Sequence, residues 1–403
     1  MRSCLAEIEN SVNAKQPSGQ VQATAHQLLE FGQTVHADFL HQLKLLVEIE
    51  SPSNNKQGVD AASHLVSIWL AALGAKITLH PQRTHGDILQ ADFPGRNRRP
   101  RMLLLGHLDT VHEMGSLTRM PWREHDGYVY GPGIFDMKFG VVQVFFALRA
   151  LLHIERSLPG PVTVLLNPDE ELGSPVSRPI TEKLAPRHDA VLVFEPSSGP
   201  DGACKTSRKG VGQYLLRVEG KAAHAGLDFE LGASANLELA QQLPRIAALT
   251  DLNRGITVNP GVIRGGTRSN VIAESAEAEI DVRVVSAAQA RTLERALTAL
   301  RPVDPRCTLH LSGSMNRMPF ERTANTIKLY RKARKLASDL GFELPEIGVG
   351  GGSDGNITAN LGIPTLDGLG AVGEGAHTPE ERILDREIPR RIALAASLIQ
   401  GVL

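Results

Sequence analysis

The sequence predicts an α/β protein in two parts, a larger one of α/β/α layers interrupted by a smaller one of β-α-β-β-α-β order. Three continuous apolar runs, at residues 102–105, 162–166 and 190–194, have the length and character of strands buried on both faces of a sheet. Between the first two, residues 139–152 are apolar nearly all round, which suits a crossover helix packed inside the fold. After residue 205 the rhythm changes to short strands and helices in the split βαβ order. A length of 403 residues agrees with the division, because a single core stops growing at about 250 to 300.

In chain order, a polar leader over 1–19 precedes helical spacing over 22–50 and over 58–73, where Val59, Ala62, Leu65, Trp69 and Leu73 recur before Gly74 as a stop. Strands are expected at 76–79 and 88–92, followed by the three buried strands and their crossover helix. In the smaller part strands are expected at 214–218, 257–264, 277–285 and 307–311, with helices at 233–249 and 287–300. The α/β pattern resumes with a helix over 324–340, a glycine-rich loop over 348–355 and a closing helix over 390–403. Residues 1–205 and 321–403 are thus expected to form a discontinuous larger domain, and 206–320 the inserted one.

With 42% apolar and 22% charged residues and a formal net charge of -1, the chain has no electrostatic footprint for nucleic acid or an anionic membrane. Cys4, Cys204 and Cys307 are odd in number and far apart, so they form neither a disulfide framework nor a thiolate zinc site, and a reducing compartment fits them. The leader lacks an apolar signal region and no later run approaches ~18 uninterrupted apolar residues. A cytoplasmic location is expected, with small molecules or a second copy of the chain as partners.

Acidic and imidazole side chains recur where the buried strands stop. Asp and Glu are almost never fully buried unless paired or bound to a metal, so acids stationed there need a reason. His107 and Asp109 follow the run 102–105; two residues apart on an extended chain they point the same way, so Asp109 can orient a metal-binding imidazole. Asp136 follows Gly131-Pro132-Gly133 just before the buried helix, where a helix cap is the plain alternative but leaves the unusual turn unexplained. Glu170 and Glu171 end the second run; beside a metal one carboxylate can ligate while the other takes a proton from metal-activated water. Glu195 ends the third run directly. Ligands of open α/β sheets gather at the carboxyl ends of strands, so the three runs converge on one site.

Seven segments together closely resemble the di-zinc exopeptidase and deacylase family, which includes bacterial glutamate carboxypeptidase, acetylornithine deacetylase, succinyl-diaminopimelate desuccinylase and aminoacylase. They are Gly106-His-Leu-Asp-Thr110, Tyr130-Gly-Pro-Gly-Ile-Phe-Asp-Met-Lys138, Asp169-Glu-Glu-Leu-Gly173, Phe194-Glu-Pro196, Gly220-Lys-Ala-Ala-His-Ala-Gly226, Gly350-Gly-Gly-Ser-Asp354 and Gly375-Ala-His377. The resemblance runs in order from about residue 36 and is closest to the glutamate carboxypeptidase branch. It implies an exopeptidase-like α/β/α domain and a ferredoxin-like insert that serves as dimerisation and lid domain. It implies His107 and Glu195 on one zinc, Glu171 and His377 on the other, and Asp136 bridging both; cobalt or manganese are alternative ions. Glu170 becomes the general base, acting on a water between the ions, and Asp109 the orienter of His107. His224 matches the histidine that reaches the partner subunit's site and steadies the oxyanion. Asn270, Arg283 and Arg317 match positions that grip the substrate's free carboxylate, Gly351 and Gly352 are expected to bind substrate as well, and the arginine fork suits a carboxylate. The segments Ser207-Arg-Lys-Gly210 and Pro379-Glu-Glu-Arg382 depart from the branch and read as rims of the substrate pocket.

The implied reaction is hydrolysis of the amide of an N-acyl or peptidyl L-amino acid with a free α-carboxylate, with a dipeptidase or N-acyl-amino-acid deacylase as alternatives. A catalytically silent relative that only binds a ligand is a more distant one, since every metal and base position carries a competent residue. Glu195 disfavours an N-carbamoyl hydrolase, whose branch has histidine there. Ser353, Asp367 and His377 follow the order of a serine hydrolase, but residues 345–350 make a poor strand and the acids at 136, 171 and 195 go unexplained. Gly350, Gly352 and Gly355 form a dinucleotide fingerprint outside its required context, and HExxH is absent.

Overall fold

The computed structural model describes residues 23–402, and the chain divides into two compact units. One unit runs from the start of the described residues to Thr206 and includes Arg322–Gly348 and the residues from Ser353 onward; the other is Ser207–Glu321 with Val349–Gly352. The leader, Cys4 and Gln22 lie outside the described residues.

The three apolar runs of the first unit form adjacent parallel strands, Val162–Asn167, Met102–His107 and Ala190–Val193, every residue of which is buried. Thr365–Leu366 extends the parallel order on one side, while Ile88–Phe93 and then Lys76–His80 add antiparallel strands on the other. The register sets His107 opposite Asn167 and Leu105 opposite Val193, so the three carboxyl ends come level. The crossover helix Phe139–Glu155 packs against His36–Val47 and the closing helix Ile388–Gly401, with the Phe39 ring tilted against those of Phe139 and Phe146 at centroid distances of 5.0 and 5.4 Å. The stretch Ile134–Glu155 is long and apolar enough to cross a membrane by length and composition, yet 78% of its apolar window is buried inside the fold.

The single helix expected over 22–50 is instead two, Ala25–Thr34 and His36–Val47, broken at Val35. Two β-branched residues meet there, and the Thr34 hydroxyl donates back to the Glu30 carbonyl at 2.9 Å, an interaction that competes with continuing the helix. Gly32 sits where a Cβ would lie 2.7 Å from the Pro389 carbonyl oxygen, so the close approach to the closing helix requires glycine. A second sheet, unforeseen from sequence, joins Gly373–Glu374, Arg382–Leu384, Tyr128–Tyr130 and Arg123–His125 in that order. Its strands of two or three residues are too short to show a period. It ties the loop leading to Asp136 to the loop carrying His377.

The second unit is a four-stranded antiparallel sheet in the order Thr257–Gly265, Ser275–Val284, Gly210–Glu219, Thr308–Arg317, with helices Ala235–Ala247 and Ala287–Thr298. Alternate burial along Gly210–Glu219 places Tyr214, Leu216 and Val218 in a separate core with Ile280, Val282, Leu239 and Leu293. The last strand, expected to stop at residue 311, continues to Arg317 through a bulge between Met315 and Arg317.

Candidate metal centre

Each strand end delivers its residue to one place. His107 closes its strand, and its Nδ1 donates to the Asp109 carbonyl oxygen at 2.9 Å, leaving Nε2 to face Asp136 Oδ1 at 3.2 Å and Glu195 Oε1 at 3.5 Å. Asp136 turns its other oxygen, Oδ2, to His377 Nε2 at 3.4 Å, and His377 Nε2 lies 3.3 Å from Glu171 Oε1. Two donor sets result, His107, Asp136 and Glu195 in one and Asp136, Glu171 and His377 in the other, with Asp136 common to both. Glu170 and Glu171 straddle them: Glu170 offers an oxygen within 4.8 Å of His107 and Glu195 donors, and Glu171 does so for His107 and Asp136.

Asp136 is no helix cap. The helix Phe139–Glu155 has Lys138 at its N-cap position without a side-chain cap, and Asp136 itself is non-helical at φ -116°, ψ 97°. Gly133 turns the chain into this segment at φ +70°, a value suited to glycine. His377 adopts φ +64°, a left-handed conformation uncommon for a side-chain-bearing residue and enriched at functional sites.

Asp109, fully buried, does more than face the imidazole. Its Oδ1 is 3.3 Å from His107 Nδ1, farther than the carbonyl partner, and accepts the Glu170 N–H at 3.1 Å. Its Oδ2 accepts the Glu171 N–H at 3.2 Å and the Ser53 hydroxyl at 2.7 Å. The carboxylate therefore fixes the backbone of the adjacent acids. Neither this task nor Ser53 was visible in the sequence, because both contacts join segments more than 50 residues apart.

The electrostatics call for cations. Burial pulls the His107 imidazole down, but Asp109, Asp136 and Glu195 outweigh it and hold it well above its ordinary value. Asp136 and Glu171 hold the His377 imidazole up at about 10. Burial pushes Asp136 up, yet the two imidazoles leave it far below the usual carboxylate range, whereas burial raises Glu171. Glu171 Oε1 is buried and accepts no hydrogen bond among the described residues. The four imidazole–carboxylate separations of 3.2–3.5 Å match the ~3.3 Å edge of a tetrahedron of donors ~2.0–2.1 Å from an ion. Nitrogen and oxygen donors in this arrangement fit a divalent transition metal.

The residues matched to oxyanion and substrate binding stand in the second unit. His224 and Asn270 meet there, the Ala225 N–H donating to the Asn270 carbonyl at 3.0 Å. Both are exposed, and His224 Nδ1 accepts the N–H groups of Gly226 and Leu227 at 3.1 and 3.2 Å. Arg283 and Arg317 flank Val211 in one row of the sheet. A Cβ on Gly352 would lie 3.0 Å from Arg317 Cδ, and Arg208 donates to the Gly351 and Gly352 carbonyls at 3.3 Å. Arg283 is already engaged by Asp281 through a fork of contacts at 2.9–3.2 Å. Ser353 is fully buried and donates to Asp367 at 2.6 Å, while His377 faces Asp136 and Glu171, so the serine-hydrolase trio is not assembled. In the segment read as a pocket rim, Pro379 and Glu380 are exposed, whereas Glu381 is buried, and its carboxylate accepts the N–H groups of Gly133, Phe135 and Asp136.

Paired histidine–carboxylate donor sets, three members at or after the ends of parallel strands and Asp136 and His377 supplied by loops, are those of a metal-dependent enzyme. The family description "Peptidase family M20/M25/M40" matches residues 103–401, and the chain belongs to that family, whose members are metal-dependent hydrolases of amide bonds. Carboxypeptidase G2 of Pseudomonas sp. (strain RS-16) is 32% identical over 89% of this chain and 88% of its own length. Acetylornithine deacetylase of Klebsiella pneumoniae (strain 342) is 29% identical over 66% of this chain and 73% of its own. Among solved structures, aminopeptidase PepT from Bacillus cereus superposes with a TM-score of 0.74 at 22% identity, covering 91% of this chain and 98% of its own, a likeness of fold.

Proposed function

We propose that this enzyme hydrolyses the amide joining an acyl or peptidyl group to an L-amino acid that keeps a free α-carboxylate, in the manner of a glutamate carboxypeptidase. The observation that carries the reading is the pair of donor sets sharing Asp136, with the arginine row of the second unit supporting the carboxylate half. Two zinc ions are assigned, one to His107, Glu195 and Asp136, the other to Asp136, Glu171 and His377. Bound there, they would polarise the amide carbonyl and acidify a water.

Glu170 is the side chain that would take a proton from the attacking water and return it to the leaving amine nitrogen, while Asp109 fixes the Glu170 backbone and Ser53 braces Asp109. Arg317 and Asn270, with the Gly351–Gly352 backbone, hold the substrate carboxylate; Arg283 takes part by exchanging its Asp281 contact. In this reading residues 206–320 form the dimerisation and lid domain, and exposed His224 steadies the oxyanion in the site of a second copy. An N-acyl-amino-acid deacylase is the second reading, favoured by likeness to the acetylornithine deacetylase.

The test is a hydrolysis screen of zinc-reconstituted protein on dipeptides and N-acyl amino acids, including folate-like and indole-acyl conjugates, each as free acid and as C-terminal amide. Cleavage confined to free acids is expected. Equal cleavage of the amides would overturn the reading, and the preferred acyl group separates carboxypeptidase from deacylase.

A further inference from the structure

Four residues beyond His377 the chain buries a carboxylate that holds backbone rather than facing the donor sets. Glu381 is 1% exposed, and its Oε1 accepts the N–H groups of Phe135 and Asp136 at 2.8 and 2.9 Å. Its Oε2 accepts the Gly133 N–H at 3.0 Å and His112 Nε2 at 2.5 Å. The segment needs these acceptors because the residues before it, the strand Tyr128–Tyr130 and the turn that follows, offer no helical carbonyls to the first N–H groups of the turn that begins at Gly133. One carboxylate thus accepts three N–H groups from the loop that presents Asp136.

The same residue is tied to His377. The Glu381 N–H donates to the Thr378 carbonyl at 3.3 Å, the Thr378 N–H donates to the Gly375 carbonyl at 3.0 Å, and the Glu381 carbonyl accepts the Gly131 N–H at 3.4 Å. A short turn therefore carries His377 at one end and grips the Asp136 loop at the other. Asp136 and His377 lie 241 positions apart in the chain, counting 377 − 136, yet their facing atoms stand 3.4 Å apart.

We propose that Glu381 is a positioning residue of the metal centre, holding Asp136 against His377 and so setting the affinity of the ion they share with Glu171. The inference rests on the proposed reading of those three side chains as ligands. Glu381 acts through the Asp136 backbone, and His112 occupies its remaining acceptor position. An amide cannot replace it: in glutamine one oxygen becomes an NH2 group, and on either side at least one backbone N–H is left facing a donor.

The experiment titrates chelator-stripped full-length protein with Zn2+ against a chromophoric competitor, for wild type, Glu381→Gln and Glu381→Asp, with circular dichroism and melting of each metal-free form. Wild type should take up two equivalents. In Glu381→Gln the equivalent held by Asp136, Glu171 and His377 should bind about 10- to 100-fold more weakly, the usual loss when a group orienting a ligand is removed, and the other, which Asp136 also serves, should weaken by less. Glu381→Asp, with both oxygens but a shorter reach, should fall between. Variants that melt lower yet bind both equivalents like wild type would overturn the inference, leaving Glu381 a purely structural residue. Should Glu381→Gln fail to fold, Glu381→Asp decides by the same criterion. Wild type taking up fewer than two equivalents overturns the ligand reading and the inference together, whereas two equivalents with unchanged variant affinities overturns the inference alone.

Discussion

Replacing Asp109 by asparagine separates two tasks that the sequence merges. The His107 Nδ1 keeps its nearer partner, the residue 109 carbonyl at 2.9 Å, so the imidazole stays oriented. The carboxylate's hold on the adjacent acids is what changes. If the new NH2 group takes the Oδ2 position, Ser53 can turn its hydroxyl to accept, but the Glu171 N–H loses its acceptor; at the Oδ1 position the Glu170 N–H loses it. Either way one backbone donor is orphaned beside the site, at a cost of about 1–3 kcal/mol. Asp109→Ala orphans both, for about 2–6 kcal/mol. Denaturant unfolding of the metal-free protein reads these costs. On metal-saturated enzyme Asp109→Asn should lower kcat by at least about tenfold, since this carboxylate holds the backbone of Glu170, the proposed proton acceptor, while zinc affinity, through Glu171, falls by about 10- to 100-fold. Loss of zinc binding with kcat intact in the metal-loaded fraction would refute this division of labour, as would an Asp109→Ala protein as stable as wild type.

Glu170→Gln should retain both zinc equivalents and lose about 100- to 10,000-fold in kcat; metal-loaded mutant with near wild-type turnover removes Glu170 from the chemistry. Arg317→Lys keeps the charge but loses the fork, and should raise KM with little change in kcat on a free-acid substrate, an unchanged KM counting against the carboxylate role. Gly32→Ala, away from the site, should destabilise by about 1–3 kcal/mol because its Cβ would press on the Pro389 carbonyl at 2.7 Å; equal unfolding midpoints would mean that the two helices separate freely.

The large sheet was legible because burial on both faces leaves uninterrupted apolar runs, and the second unit because half-buried strands and helices alternate in a recognisable order. Of the site, the acids stood out as charges at the ends of those runs. What escaped was whatever depends on contact between distant segments. Glu381 reads as one of two acids in a polar turn, and only the fold shows Glu380 exposed and Glu381 buried against a loop some 245 residues away. Ser53 escaped for the same reason. The break at Val35 was missed because apolar spacing continues through it while the backbone does not. Arg283, read as a substrate contact, has a carboxylate partner two residues away on its own strand, a pairing that the sequence Asp281-Val-Arg283 already contained.

The central claim is that Asp136 serves two ions at once, each completed by one histidine and one glutamate. Its most direct test is stepwise return of Zn2+ to the chelator-treated enzyme while bound metal and amide hydrolysis are followed together. Binding should saturate at two equivalents per chain, with hydrolysis abolished at zero. Saturation at one equivalent, or hydrolysis that survives complete removal of metal, would contradict the account.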